Sequence, residues 1–355
     1  MTDGRAAIAG APEKDRVLWQ CRTALELMRR SQFAEARSLL DDALLSIGSN
    51  SAGDREAKKA RSLFSSESRK PFRGEPYEQV MAYYYRGLIY WFDGEPDNAR
   101  ACFRNAQLRD SDTENRQYSS DYVLLEYLEG LATTKLGGDG SDAFNRAVAI
   151  RQPAPTPLNP VSNTLFFVEF GRGPSKYASG EYAEELRIRA GKSSAQSVSI
   201  TVENQSLNLA PYDNLSFQAT TRGGRLMDHI LENKAVFKSG SDSLGNAALL
   251  SGAVVASNRN TQEVGLGLLA FGLAAKIVSA ATTPSADIRC WDNLPENLTF
   301  GSLMLPPGRH SATIDFLDAQ GNPIASLKKI ATIDVVQGRD TVVFVSDQSH
   351  TSQTL

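Results

Sequence analysis

The chain has 355 residues, 41% of them hydrophobic and 22% charged, with a formal net charge of -3 and a sequence pI near 5.8. That length suggests two domains or slightly more, with enough apolar residues for a sizeable core. The balanced, slightly acidic charge gives no reason to expect nucleic acid or an anionic surface as the main partner. Cys21, Cys102 and Cys290 are odd in number and far apart, with no CxxC or Cys/His cluster. Neither a zinc site nor a disulfide framework is indicated, and the three read as buried thiols.

The first 15 residues read as a disordered N-terminus. The opening MTDGRAAIAGAPEKDRVLW has neither the basic start nor the apolar core of a secretory signal, so the chain as written is expected to stay in the cytoplasm. Apolar residues then recur at helical spacing: Val17, Cys21, Ala24, Leu25 and Met28, and after a polar break Phe33, Ala36, Leu39, Leu40, Ala43 and Leu44. Residues 76–107 repeat the design, with a turn at Asp93-Gly94-Glu95-Pro96 and Pro76 suited to a first helical turn. Ala24, Leu27, Ala36, Leu40 and Ala43 have the same spacing as Gly87, Tyr90, Ala99, Phe103 and Ala106. This pattern resembles the tetratricopeptide repeat, with a degenerate third copy over Tyr127 to Ile150. Residues 48–75 intervene as a loop and a short charged helix. In this register Tyr84, Leu88, Trp91 and Phe92 project toward the concave face. They either pack on a neighbouring repeat or second domain, or anchor a protein or peptide partner. Glu126 and Glu129, at helical spacing, read as part of a solvated face with no raised pKa.

RQPAPTPLNP, residues 151–160, cannot continue a helix and reads as an extended linker (151–162). The apolar period then changes. Thr164 to Phe170, Glu185 to Arg189, Ser197 to Val202 and Leu215 to Ala219 are candidate strands. Leu298 to Leu305, Pro306-Pro307-Gly308 and Arg309 to Phe316 read as a hairpin. Ile330 to Val336 and Thr341 to Val345 complete a four-strand set. Short strands with Gly/Pro turns argue for a β-sandwich. LPPGRHSATIDF and the ending Gly338 to Val345 resemble the small PEGA-like β-sandwich modules of bacterial envelope proteins. FRGEPYEQVMAYYYRGLIYWFDGEPDNARACFRNA and ADIRCWDNLPENL together resemble an uncharacterised bacterial family that joins tetratricopeptide-like helices to a β-domain, often as envelope lipoproteins. The resemblance implies a non-catalytic envelope or assembly role and supplies no site residues. The missing signal peptide departs from that family's pattern.

Residues 244–256 and 264–280 are two apolar arms joined by the polar SNRNTQE. As helices they would span about 20 and 25 Å, against roughly 30 Å of hydrocarbon. Gly252, Gly265, Gly267 and Gly272 would allow close helix packing. The first expectation is a buried helical hairpin on the β-domain; membrane contact or self-association is the alternative. Gly265 to Ala270 fits GxGxxG/A formally but lacks the preceding strand of a dinucleotide site. There is no P-loop, HExxH or GxSxG, and His229, His310 and His350 have no metal-ligand spacing. Trp291 is expected to plug the sandwich, with Asp287 and Arg289 fixing a loop.

The expected fold is therefore α+β: a TPR-like helical domain (16–150), the linker, and a β-sandwich-like domain (163–346) with a helical insertion at about 222–285 and a disordered tail (347–355). The expected function is a non-catalytic scaffold of the bacterial envelope or periplasm, without cofactor or metal, that engages a protein or peptide partner. A membrane-associating or self-assembling protein and an enzyme with an unrecognised site are the alternatives.

Overall fold

A computed structural model describes residues 8–48, 71–111, 121–151, 154–180, 185–222, 286–349 and 353–354. The apolar arms with Gly252, Gly265, Gly267 and Gly272, together with His229 and His350, lie outside the described residues. The chain is mixed α+β, and no described helix is long and apolar enough to cross a membrane.

Three antiparallel helix pairs come first: α1 (Arg16–Met28) with α2 (Phe33–Gly48), α3 (Pro76–Phe92) with α4 (Pro96–Asp110), and α5 (Val123–Lys135) with α6 (Ser141–Ile150). The start of α3 is set by local chemistry. Glu75 and Glu78 form a reciprocal capping box and Pro76 takes the first turn, where no N–H is needed. Gly87 admits the partner helix, since a Cβ there would lie 2.6 Å from Phe103 Cε1. The equivalent small residues Ala24, Ala36, Ala43, Ala99 and Ala106 are all fully buried.

The strands follow. β1 (Thr164–Phe170), β7 (Asn297–Leu303), β10 (Thr341–Ser346) and the short β6 (Asp213–Asn214) form one sheet in the order β10-β1-β7-β6. β4 (Ser197–Val202), β5 (Gln205–Leu209), β8 (Gly308–Leu317), β9 (Lys329–Val335) and β11 (Gln353–Thr354) form a second, in the order β11-β9-β8-β4-β5. β2 (Ser175–Ser179) and β3 (Glu185–Arg189) make a separate ribbon. β1 runs parallel to β10, with Thr164 opposite Thr341, and antiparallel to β7.

The four-stranded sheet is buried on both faces, which explains the unbroken apolar run of β1. Leu165 and Phe167, with Phe300, Val342 and Phe344, face the helices and share one core with them. Phe166, Val168 and Phe170, with Val343 and Val345, face Val198, Ile200, Ile314, Phe316 and Ile333 of the second sheet. The layers are thus helices, sheet, sheet.

Several expectations are corrected. Residues 298–316 are not a hairpin: β7 lies in the first sheet and β8 in the second. Two consecutive prolines remove the N–H donors a tight turn would use, and the chain crosses between sheets there. Thr341 to Val345 likewise joins the first sheet and not the second. Leu215 to Ala219 is not a strand but part of helix α7 (Leu215–Arg222), because Asn214 Oδ1 accepts the Phe217 N–H and caps a first turn. The described part of the proline-rich stretch is no free linker. Leu158 packs on the helix–sheet core, and Lys135 Nζ donates to the carbonyls of Pro160 and Ser162. Asp15, expected in a disordered N-terminus, is bound by Arg289 at 2.6 Å. Ser349 and the short β11 are ordered parts of the expected disordered tail.

Candidate functional site

The side chains expected to line a partner groove lie at the helix–sheet interface. Tyr84, Leu88 and Trp91 share one face of α3 and are buried, Trp91 at 1% exposure; Phe92 is half-buried. Trp91 packs 6.2 Å from both Phe103 and Phe167, and its Nε1 donates to Asp340 Oδ2 at 2.9 Å. Phe92 turns toward Phe33, 4.8 Å away. The chain's own first sheet occupies the face that the sequence offered to a partner. The physical reason is that β1, β7 and β10 carry a second apolar face that needs covering.

The strongest concentration of charge at this interface was not foreseen. Arg29 ends α1, and Glu169 stands near the carboxyl end of β1; each side chain is 1% exposed. Arg29 Nε donates to Glu169 Oε1 at 2.8 Å and Nη2 lies 2.7 Å from the same oxygen. Tyr85 donates its hydroxyl to Glu169 Oε2 at 2.5 Å. Arg29 Nη1 also donates to Gln348 Oε1, whose amide nitrogen donates to the Gly171 carbonyl at 2.8 Å. Asp347, beside them at the end of β10, accepts the Gly171 N–H at 2.8 Å. Burial works against the Arg29 charge, but Glu169 outweighs it and holds the guanidinium above its ordinary value. Burial, and then Glu169, push the Tyr85 phenol well up. Asp347 is pushed up to about 6, by burial first and further by Glu169. Acids at the ends of two adjacent parallel strands are a familiar setting for chemistry. Here both oxygens of Glu169 are taken up by the helical layer, so the group latches layers together.

A second latch closes the other side. Lys176 on β2 is buried, with Nζ 2.6 Å from Glu78 Oε2 and 3.6 Å from Glu75 Oε1. Burial opposes its charge, and Glu78 and then Glu75 more than offset that, raising its pKa. Glu78 Oε1 accepts the Trp291 N–H at 2.7 Å. Trp291 does not plug the space between the sheets; it sits in the helix–sheet core, 5.9 Å from Tyr85. Its loop is tied to α1 by Arg22, which donates to the Cys290 carbonyl at 2.6 Å and pairs with Asp292 at 2.9 Å. Arg289 binds Asp287 within that loop, as expected, and reaches Asp15 as well. Burial pushes the Cys290 thiol up to about 12, so no thiolate nucleophile is present at neutral pH. All three cysteines are free and buried. The capping-box spacing of Glu75 and Glu78 was a readable signal for this corner.

Glu126 and Glu129 are buried, contrary to the solvated face expected. Arg146 lies 2.8 Å from Glu126 Oε2 and 3.3 Å from Glu129 Oε2. Burial raises the Glu126 pKa in spite of Arg146. Asp213 accepts the N–H groups of Val123 and Leu124 at 3.0 and 2.9 Å, satisfying the start of α5, and burial pushes it up to about 7. Among the described residues no group of three His, Cys, Asp or Glu side chains could hold a metal ion. The apolar gap lined by Val80, Met81, Tyr84, Tyr122, Leu124, Leu125 and Leu298 has no room for a water molecule. In comparisons with known proteins, the chain matches no family model, no curated protein and no solved structure.

Proposed function

We propose that the protein is a non-catalytic scaffold of the bacterial cell envelope, with TPR-like helix pairs mounted rigidly on a β-sandwich. The Arg29–Glu169–Tyr85 cluster carries the reading: ionisable groups that could do chemistry are spent joining the helical layer to the sheet. The equal spacing of small and large buried residues in α1–α2 and α3–α4 supports the repeat assignment. With the inner helix face covered, a protein partner meets the outer helices. Leu45 on α2 and Leu108 on α4 occupy the same place in the two copies and are 74% and 65% exposed.

The test is site-specific photo-crosslinking in cells, with the probe at Leu45 or Leu108 and, as control, at exposed Ser311 on β8. One discrete adduct shared by the two helix positions and absent from Ser311, recovered in the envelope fraction, is expected. With the probe at one of the two positions, Asp at the other (Leu108→Asp or Leu45→Asp) should weaken the adduct strongly without changing the circular dichroism spectrum. No shared adduct, or a purely cytosolic protein, overturns the proposal.

The apolar arms at 244–256 and 264–280 favour a second reading, membrane association or self-assembly. Flotation with neutral phosphatidylcholine vesicles tests the membrane form against a variant with 244–281 replaced by a Gly/Ser linker. That form predicts flotation of the full chain only; sedimentation of both refutes it.

A further inference from the structure

Arg172 and Lys192 face each other across an antiparallel bridge in line with the β2–β3 ribbon. The Arg172 N–H donates to the Lys192 carbonyl and the Lys192 N–H to the Arg172 carbonyl, both at 2.8 Å. Residues directly opposite in such a pair project to the same side, and like charges there repel. Both residues are exposed. Of the cations on the ribbon and the adjoining loop, Arg187 is paired with Glu185 at 2.7 Å and Arg289 with Asp287 and Asp15, while Arg189 lies over the Tyr177 ring at 5.5 Å. Among the described residues no carboxylate pairs with Arg172 or Lys192.

The backbone beneath them is fixed. A Cβ at Gly191 would lie 2.1 Å from the Arg172 carbonyl oxygen and 2.1 Å from Glu296 Oε2, so only glycine fits. The Gly191 N–H donates to Ser216 Oγ at 2.7 Å. Glu296, the buried acid behind the bridge, is already committed to Ser216 at 2.7 Å and Asn214 at 2.8 Å. Asp347, bound to the adjacent Gly171 N–H, draws its neighbouring charges from Glu169, Arg29 and Lys329. A fixed backbone therefore sets two exposed cationic residues directly opposite each other, and among the described residues no carboxylate pairs with either.

We propose that Arg172 and Lys192 form a binding site for a phosphate-type oxyanion, carried by a free ligand or by the headgroup of an anionic lipid. The arginine fork takes two oxygens and the lysine ammonium a third as a compact point charge. The site depends on neither reading of function given above.

The experiment uses the full chain, an Arg172→Gln/Lys192→Gln double variant, and a charge-conserving Lys192→Arg variant. Inorganic pyrophosphate is titrated calorimetrically, and flotation is measured with phosphatidylcholine vesicles with and without phosphatidylglycerol. Saturable, salt-sensitive binding to at least one anionic probe is expected. The double variant should weaken vesicle binding about thirtyfold, from two surface cations, and Lys192→Arg should retain it. Binding of pyrophosphate assigns a free ligand; binding of anionic vesicles alone assigns a headgroup. Because a repulsion is removed, the double variant should unfold at no lower denaturant concentration than the parent. Failure of both probes to bind the parent overturns the proposal, as does undiminished binding by the double variant or a double variant that is clearly less stable.

Discussion

Replacing Arg29 with methionine tests the latch between the helical layer and the sheet. The substitution keeps much of the side-chain volume but removes the one positive charge that, among the described residues, lies within ion-pair distance of Glu169, leaving the Tyr85 hydroxyl as its remaining side-chain partner among them. Breaking a buried pair on one side costs about 3–5 kcal/mol, chiefly because the remaining charge is stranded in a low-dielectric site. Arg29→Met should therefore destabilise by that amount, with a further loss from the freed Gln348 carbonyl oxygen. Arg29→Met with Glu169→Gln removes both charges and should recover most of it. Guanidinium denaturation followed by tryptophan fluorescence is the assay, since Trp91 and Trp291 both lie in the helix–sheet core. Far-UV circular dichroism on the same samples reports whether the helices and sheets unfold together. A single variant that loses less than about 1 kcal/mol, or a double variant no more stable than the single, would refute the assignment of this pair as the latch.

Gly87→Ala should destabilise by roughly 1–3 kcal/mol, because the added methyl meets the buried Phe103 ring; helix propensity alone predicts a gain of about 1 kcal/mol, so the sign of the change in urea midpoint decides. Asp213 has a folded pKa of about 7, above its unfolded value. Its contribution is fully present below the unfolded pKa and is lost as pH rises through about 7. The stability of the parent relative to Asp213→Asn should accordingly fall between about pH 4 and pH 7 and level off above, and a flat difference would count against burial as the cause. His310 has acceptors on both ring nitrogens, first the Pro306 carbonyl at 2.9 Å and then Glu203 Oε1 at 2.7 Å, which favours the imidazolium and raises its pKa. An NMR titration should place it above free histidine, and Glu203→Gln should lower it.

Local signals carried the helical half well. Gly94 and Pro96 mark the turn between α3 and α4, and the apolar spacing names the residues that become the core of each pair. The same spacing put Tyr84, Leu88 and Trp91 on one face and left open packing on a neighbouring repeat or second domain or a partner groove; the structure shows the packing, and the particular strands they meet were not legible. The latches were harder still: the capping-box spacing of Glu75 and Glu78 and the apolar run around Glu169 mark those acids locally, but nothing in their own segments names Arg29 or Lys176 as the partner. Glu126 and Glu129 were misread for that reason. The Arg172–Lys192 pair was equally hidden, because its meaning comes from register across a bridge.

Periodicity is a property of neighbouring residues, so the sequence by itself determined where the six paired helices and most strands lie, the pairing of successive helices and the mixed α+β class, while the capped helix α7 read as a strand. Strand partnership and charge pairing depend on groups far apart in the chain. An apolar run such as β1 states that both faces are buried without stating by what. The tertiary structure alone decided that β7 and β8 belong to different sheets, that β10 returns parallel to β1, and that the first sheet closes the helical face. Only there do distant charges find one another, because removal from water makes an unpaired charge so unfavourable that the fold must supply its partner.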